Sequence, residues 1–456
     1  MRALVVVVAV SLLTLVLDHF GWLRSLETAA LDRLLILKER VQAHDLVVVE
    51  IDDADYEQLF HETSPLDPET LRDVIDAIAK NQPRLIAVDL DTSARVFKGM
   101  KLSPDWPLVV WARGARAHGE KDGAAGRPRG GEEVYVLDRI MGSDEAPAGL
   151  TSGIALMPED SDSQIRHFER AFHVVPGNAT AAESHAADSF HWAIVKAYCA
   201  GQADDRRCER LFPPHAAHAE GEAGHLLLNL SIDPYVFDAP VRASTVLAEA
   251  NAGEVSDISP TFLALKDKIV LLGGKYESSR DFYETPLGTK YGVDLSAIAV
   301  ETELSGTGLR HANHYALLAL EVAAGLILAL LTHLFPHGRK HLLALAAIPV
   351  LALFGSLIAF SSFAMWANFV PVLFAAQIHF LYDKLAEARR LESEARELKS
   401  GSGLHGSGAD AKVEPSAEPA AESPDNAVAG AREQPVVPGA DAADVSDVVP
   451  TAPPER

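Results

Sequence analysis

Four apolar runs bracket this chain and limit what it can be. Met1 to Leu17 reads MRALVVVVAVSLLTLVL and continues through DHFGWL, with Trp22 at its edge. Much later come Tyr315–Phe335, His341–Phe363 and about Met365–Leu381. Each of the later runs is near 20 residues, the length that crosses a hydrocarbon core of about 30 Å. The first run is shorter, and a cleaved signal peptide is the competing reading. No A-x-A-like site follows its apolar core directly, which favours a retained anchor. The overall composition, 48% apolar and 23% charged, looks like that of a soluble protein only because the apolar residues are bunched.

Charge at the ends of the runs sets an expected orientation. PHGRKH, short and basic, separates the second and third runs, and DKLAEARR follows the last. The positive-inside tendency puts both in the cytoplasm. The expectation is a multi-pass protein of the inner (plasma) membrane with four spans. Both termini lie inside, and Leu23–Asn313 forms one body outside. Glu321 falls near an outer helix edge, and Gln377 and His379 near an inner one, so they read as interfacial residues; a proton relay would want mid-membrane positions.

Net charge is −24. The stretch from Gly401 to Arg456 holds ten acidic residues against Lys412, Arg432 and Arg456, and has no aromatic residue. So acidic a chain repels phosphate backbones, which excludes nucleic acid as a partner. The same stretch is rich in Pro, Ala, Ser, Glu and Gly and buries too little apolar surface to order itself, so it reads as a disordered tail. Ahead of it, Leu381, Leu385, Ala388, Leu391, Ala395 and Leu398 recur by threes and fours, giving a cytoplasmic helix over 382–400. Pairing with a second copy as a homodimer and a solitary stub are both open; fewer than three heptads make no secure coiled coil.

The outer body alternates strand and helix patterns. Strands are expected at Leu46–Ile51, Leu85–Leu90, Leu108–Trp111, Val134–Leu137, Ile154–Met157, Leu226–Leu230 and Ile269–Leu272. Helices are expected at Pro68–Lys80, Ser184–Ala200 and Leu295–Leu304. Strand, helix, strand over Leu46–Leu90 is a right-handed unit with parallel strands. The fold class is therefore α/β, a largely parallel or mixed sheet flanked by helices. Ala117–Gly131, rich in Gly, Arg and Lys, reads as a mobile surface loop.

Ligands of open parallel sheets gather outside the carboxyl ends of the strands. Asp52 and Asp53 end one expected strand, Asp89 and Asp91 another, and Gly273-Gly274-Lys275 a third, with Arg280 and Asp281 in the loop after it. Two readings stand side by side. These residues form a pocket rim for a cation such as Ca²⁺ or Mg²⁺ or for a polar small molecule, or they cap helices, close turns and pair with Arg280 and Lys275. No phosphate-cradling G-x-x-x-x-G-K-[ST] and no G-x-S-x-G elbow is present, so nothing points to an enzyme or names a cofactor. Cys199 and Cys208, in YCAGQADDRRC, have too few companions for a metal site; with the body outside the cytoplasm they read as a local disulfide, and two unpaired thiols are the alternative. His215, His218 and His225 fit a solvated loop better than a metal site. Asn178-Ala-Thr180 and Asn229-Leu-Ser231 match a glycosylation pattern that matters only in a eukaryotic host.

Several ordered blocks resemble the CHASE type-2 domain, an extracellular sensory module of bacterial membrane receptors. LETAALDRLLILKER follows the first run and precedes the strand ending in Ile51-Asp52-Asp53, and LIAVDLD carries Asp89. Ser152-Gly153 leads through Asp162 to Ile165-Arg166. The strongest block is KDKIVLLGGKYESSRDFYETPLGTKYGVDLSAIAVETELSG, with Gly273-Gly274, Asp281, Thr285-Pro286, Gly292-Val293 and Glu301-Thr302. The resemblance spans about Trp22 to Leu381. It departs at Ser296 and Ile298, where the family usually carries His and Asn, and HETSPLDPE replaces a Trp-Pro turn. Nor does 382–456 resemble the kinase or cyclase that often follows in the family. The resemblance implies a sensory module with an unknown small-molecule or protein stimulus, acting on a separate cytoplasmic effector. An envelope scaffold whose outer domain binds another protein is the alternative.

Overall fold

A computed structural model describes residues 9–10, 12–14, 16–17, 20–117, 134–136, 140–143, 149–174, 185–200, 202, 205–213, 226–235, 240–253, 259–311, 314–334, 339–363, 365–366 and 368–402. Ala117 is therefore described, but the rest of the Gly- and Arg-rich loop is not. The three histidines His215, His218 and His225, the Asn178 pattern and the tail beyond Ser402 also lie outside the described residues.

Six parallel strands form the central sheet: β1 (Leu46–Ile51), β2 (Leu85–Asp89), β3 (Leu108–Arg113), β4 (Thr151–Ile154), β5 (Val241–Arg242) and β6 (Ile269–Gly274). Their order is β5-β1-β6-β2-β3-β4. LVVVEI in β1 and IVLLGG in β6 are buried at every position. Such runs need cover on both faces, as parallel sheets have.

On one face, Val47, Val49, Ile86, Val88, Val270 and Leu272 pack against α3 (Pro68–Lys80) and α6 (Ala243–Ala252). Asp67 starts α3 by accepting a hydrogen bond from the Thr70 backbone N–H at 2.8 Å, with Pro68 at the first helical position. On the other face, Leu46, Val48, Leu85, Ala87, Ile269 and Leu271 meet α4 (Phe190–Cys199) and α8 (Gly292–Ser305). Burial continues without a break along α8 from Gly292 to Leu304, so its acids need partners. Glu301 accepts from the His44 and Asp45 backbone N–H groups at 3.1 and 3.3 Å, and Glu303 takes a two-pronged pair from Arg170 at 2.7 and 2.8 Å. A bond between Cys199 and Cys208 ties α4 to α5 (Arg206–Leu211), and Arg210 of α5 donates to the last carbonyls of α8.

A third cluster lies below the sheet. Leu31, Leu34 and Leu35 of α1 (Arg24–Leu37) pack there with Leu295, Ile298 and Ala299 of α8 and with Phe360 and Trp366. Arg310–His311 pairs in parallel with Met365–Trp366, which brings together the two ends of the segment containing α9 (His314–Leu334) and α10 (Arg339–Phe363). The core of the α/β body thus uses residues beyond Asn313.

Several expectations shift. The helix expected at Ser184–Ala200 is split: His185–Asp188 pairs antiparallel with Ala171–Val174, and Ser189 caps α4. The strand expected at Ile154–Met157 is Thr151–Ile154, and that at Leu226–Leu230 shrinks to Leu226–Leu227. Asn229 and Ser231 are buried and hydrogen-bonded to Thr307 and to each other, so they offer no glycan acceptor. The last apolar run is broken: Met365–Trp366 belongs to the short strand pair, and α11 (Val370–Ser402) begins only at Val370. The twelve residues from Val370 to Leu381 rise about 18 Å, short of a hydrocarbon core. Among the described residues no helix is long and apolar enough to cross a membrane, so the structure does not establish the four expected spans.

Candidate functional site

Strand parity decides which of the expected rim residues meet. Glu50 of β1, Gly273 of β6 and Asp89 of β2 stand side by side in register, and all three face α8. A Cβ on Gly273 would lie 2.5 Å from Val293 Cγ2, so the start of α8 rests directly on this glycine. The helix divides the sheet edge, leaving Glu50 on one side and Asp89 on the other.

On the Asp89 side lies a small cleft, partly open to solvent. Asp89, Asp281, Ser296, His191, Tyr283 and Gly292 line it, with Phe190 and the segment Ile154–Met157 as an apolar wall. Ser296 Oγ donates to Asp89 Oδ2 at 3.0 Å. Burial, together with the nearby Asp281 carboxylate, pushes the Asp89 carboxyl up to about 7 against the opposing effect of the Ser296 hydrogen bond. His191 is pushed down to about 3 by burial, so it is neutral, its Nε2 3.0 Å from Ser189 Oγ. Asp281 sits against the first residue of α8: a Cβ on Gly292 would come within 2.2 Å of its Oδ2. Gly292→Ala therefore displaces the carboxylate or the helix start, and the expected cost is about 1–3 kcal/mol, read as a lower thermal midpoint. An unchanged midpoint would show that this contact is slack.

On the other side, Lys275 Nζ lies 3.3 Å from Glu50 Oε2 and 3.4 Å from Asp294 Oδ2, and it contacts the Tyr235 hydroxyl. The rings of Tyr235 and Tyr291 flank it, with centroids at 4.5 and 5.4 Å. Burial raises the Glu50 carboxyl although Lys275 opposes this. This is a closed ion network that seats α8, separate from the cleft.

The remaining rim residues have local tasks. Asp52 caps α2 (Asp53–Gln58) and pairs with Arg242 at 2.6 Å. Asp53 accepts from the Glu277 backbone N–H at 2.8 Å, and Asp91 from that of Ser93 at 2.8 Å. Arg280 is exposed, with a left-handed backbone at φ 53°. Of the seven rim candidates, Asp89 and Asp281 share the cleft and Lys275 joins the separate network. Among the described residues no group of three or more His, Cys, Asp or Glu is arranged to hold a metal ion.

Sequence reasoning passed over His191 and Tyr283 in the cleft and Glu50, Asp294 and Tyr235 opposite it. A usable signal existed for Glu50: a lone charge inside the run LVVVEI has to find a buried partner.

A further polar cluster surrounds Arg166, whose side chain is 1% exposed. Its guanidinium meets Asp32 of α1 at 2.6 and 2.9 Å, together with Asp160, Asp162 and Gln164.

The chain matches the CHASE2 domain over residues 4–334 and belongs to this family of sensory domains. No curated protein and no solved structure matches it.

Proposed function

We propose that this protein is a membrane-anchored sensory module whose outward-facing cleft, between Asp89, Asp281 and Ser296, receives a small-molecule stimulus that is passed to a separate effector. The observation that carries the reading is the cleft itself. It lies at the carboxyl ends of parallel strands, where α/β sheets bind ligands, and combines hydrogen-bonding groups with an apolar wall. Membership in a sensory-domain family supports it. Anchoring rests on the full sequence: 1–17, 315–335 and 341–363 stay apolar when every residue is counted. The cysteine bond fits an oxidising, extracytoplasmic compartment. The helix from Leu381 to Lys399 is the route to the effector.

Exposure of the cleft is testable in intact cells. Ala155→Cys places a thiol on its wall, and the native cysteines are bonded to each other. A membrane-impermeant maleimide is expected to label this variant before lysis. Labelling only after lysis would place the cleft in the cytoplasm and reject the reading.

A further inference from the structure

Beside its apolar packing, α1 is tied to the α/β body by one buried guanidinium. Arg166 Nε and Nη2 form a fork on Asp32 Oδ1 and Oδ2 at 2.6 and 2.9 Å. Nη1 goes to Asp160 and Asp162, both at 2.9 Å, and Nη2 also bonds Asp162 and Gln164 at 2.8 and 3.0 Å. A planar fork satisfied on every side holds a single orientation.

The turn that carries Arg166 also borders the cleft. It starts at Met157, a cleft-lining residue, and its Ile165 N–H donates to the Glu284 carbonyl, next to cleft-lining Tyr283. Met157 and Tyr283 belong to the same buried cluster as Leu31, Leu34 and Leu35 of α1. One short segment therefore touches the cleft on one side and α1 on the other.

We propose that the Met157–Arg166 turn couples the cleft to α1, with the Asp32–Arg166 pair as the latch. A change in the cleft that shifts Met157 or Tyr283 moves Arg166 off its single satisfied orientation and frees α1, the helix that follows the N-terminal apolar segment. As a route for signalling, this rests on the reading that the cleft receives the stimulus; the coupling itself stands on the contacts above. Two arrangements of a packed element, biased from both sites, make up such a coupling, and the bias is reciprocal.

The test uses the full chain in lipid nanodiscs and needs no ligand. Leu34→Cys on the buried face of α1 and Ser296→Cys in the cleft each introduce one free thiol, and alkylation rates report opening. Adding Asp32→Ala breaks the latch on α1 while Arg166 keeps Asp160 and Asp162. The expected result is a rise on the order of 10-fold or more at Leu34→Cys, as for a buried pair losing one partner, and a rise at Ser296→Cys by linkage. Arg166→Lys, which loses the fork but keeps the charge, is expected to give the same pattern more weakly. A rate at Leu34→Cys unchanged within about twofold, or a rise there with none at Ser296→Cys, overturns the coupling. A matching rise at a control thiol, Ile75→Cys on the far face of the sheet, also overturns it, because the pair then supports the whole fold. Absence of any cleft ligand would defeat the sensory reading and leave these rates untouched.

Discussion

Arg166→Met is expected to destabilise the protein by about 3–5 kcal/mol at pH 7, because it leaves the carboxylates that ring the guanidinium without their cation. In the native protein, hydrogen bonds from Arg166 hold the Asp162 carboxyl below its ordinary value of 3.8. Burial alone would raise Asp160, but the bonds from His167 and Arg166 outweigh it and hold that carboxyl low as well. Groups lowered in this way add stability that is present above the ordinary value and lost as pH falls through the folded one. The gap between native protein and variant is therefore widest at neutral pH and narrows below about 4. Unfolding curves at pH 7 and pH 3 check both parts. A loss under about 1 kcal/mol at pH 7, or a gap that does not narrow in acid, would mean that the cluster is held by something other than charge.

Asp89→Asn is expected to act in the opposite direction. The folded protein keeps the Asp89 proton up to about 7, whereas an ordinary aspartate loses it near 3.8. Between those values the native state binds more protons than the unfolded chain, so stability falls as pH rises through the window and is level above it. A neutral amide removes this penalty. Three pH units correspond to about 4 kcal/mol; the Asp89 side chain is mostly buried but borders the cleft, and solvent there reduces the expected gain to about 2 kcal/mol at pH 8. At pH 4 the variant and the native protein should melt together. Equal midpoints at pH 8 would show that the carboxylate is comfortable in place.

The α/β class was legible because apolar runs such as LVVVEI and IVLLGG cannot sit on a one-sided sheet, and because Leu71, Val74, Ile75 and Ile78 recur at helical spacing. The helix over Pro68–Lys80 emerges with the expected bounds, since Asp67 and Pro68 mark its start. Ser184–Ala200 misleads because His185–Asp188 has no strand pattern of its own and becomes a strand by pairing with Ala171–Val174. The run from Met365 misleads in a similar way: hydropathy does not register that Trp366 is drawn into the cluster around α1 and α8.

The site was half legible. A strand end pointed to Asp89 and the loop after another strand to Asp281, but register and parity decide which carboxylates share a space, and both are tertiary facts. Gly273 between Glu50 and Asp89 lets α8 descend between them, a division that no local pattern encodes. Ser296 stood out only as a departure from the family pattern, yet it is the residue that holds Asp89. His191 and Tyr283 reach the cleft from α4 and from a two-residue strand far apart in the chain, so spacing gives no hint of them.

The claim that the cleft receives a stimulus is tested most directly by thermal stability of the full-length protein in lipid nanodiscs against a panel of small polar compounds. Native protein and Ser296→Trp, which fills the cleft, are compared side by side. At least one compound should raise the midpoint of the native protein and leave that of the filled variant unmoved. If every stabilising compound acts equally on both, or none acts on a well-folded native protein, the cleft is not a receiving site.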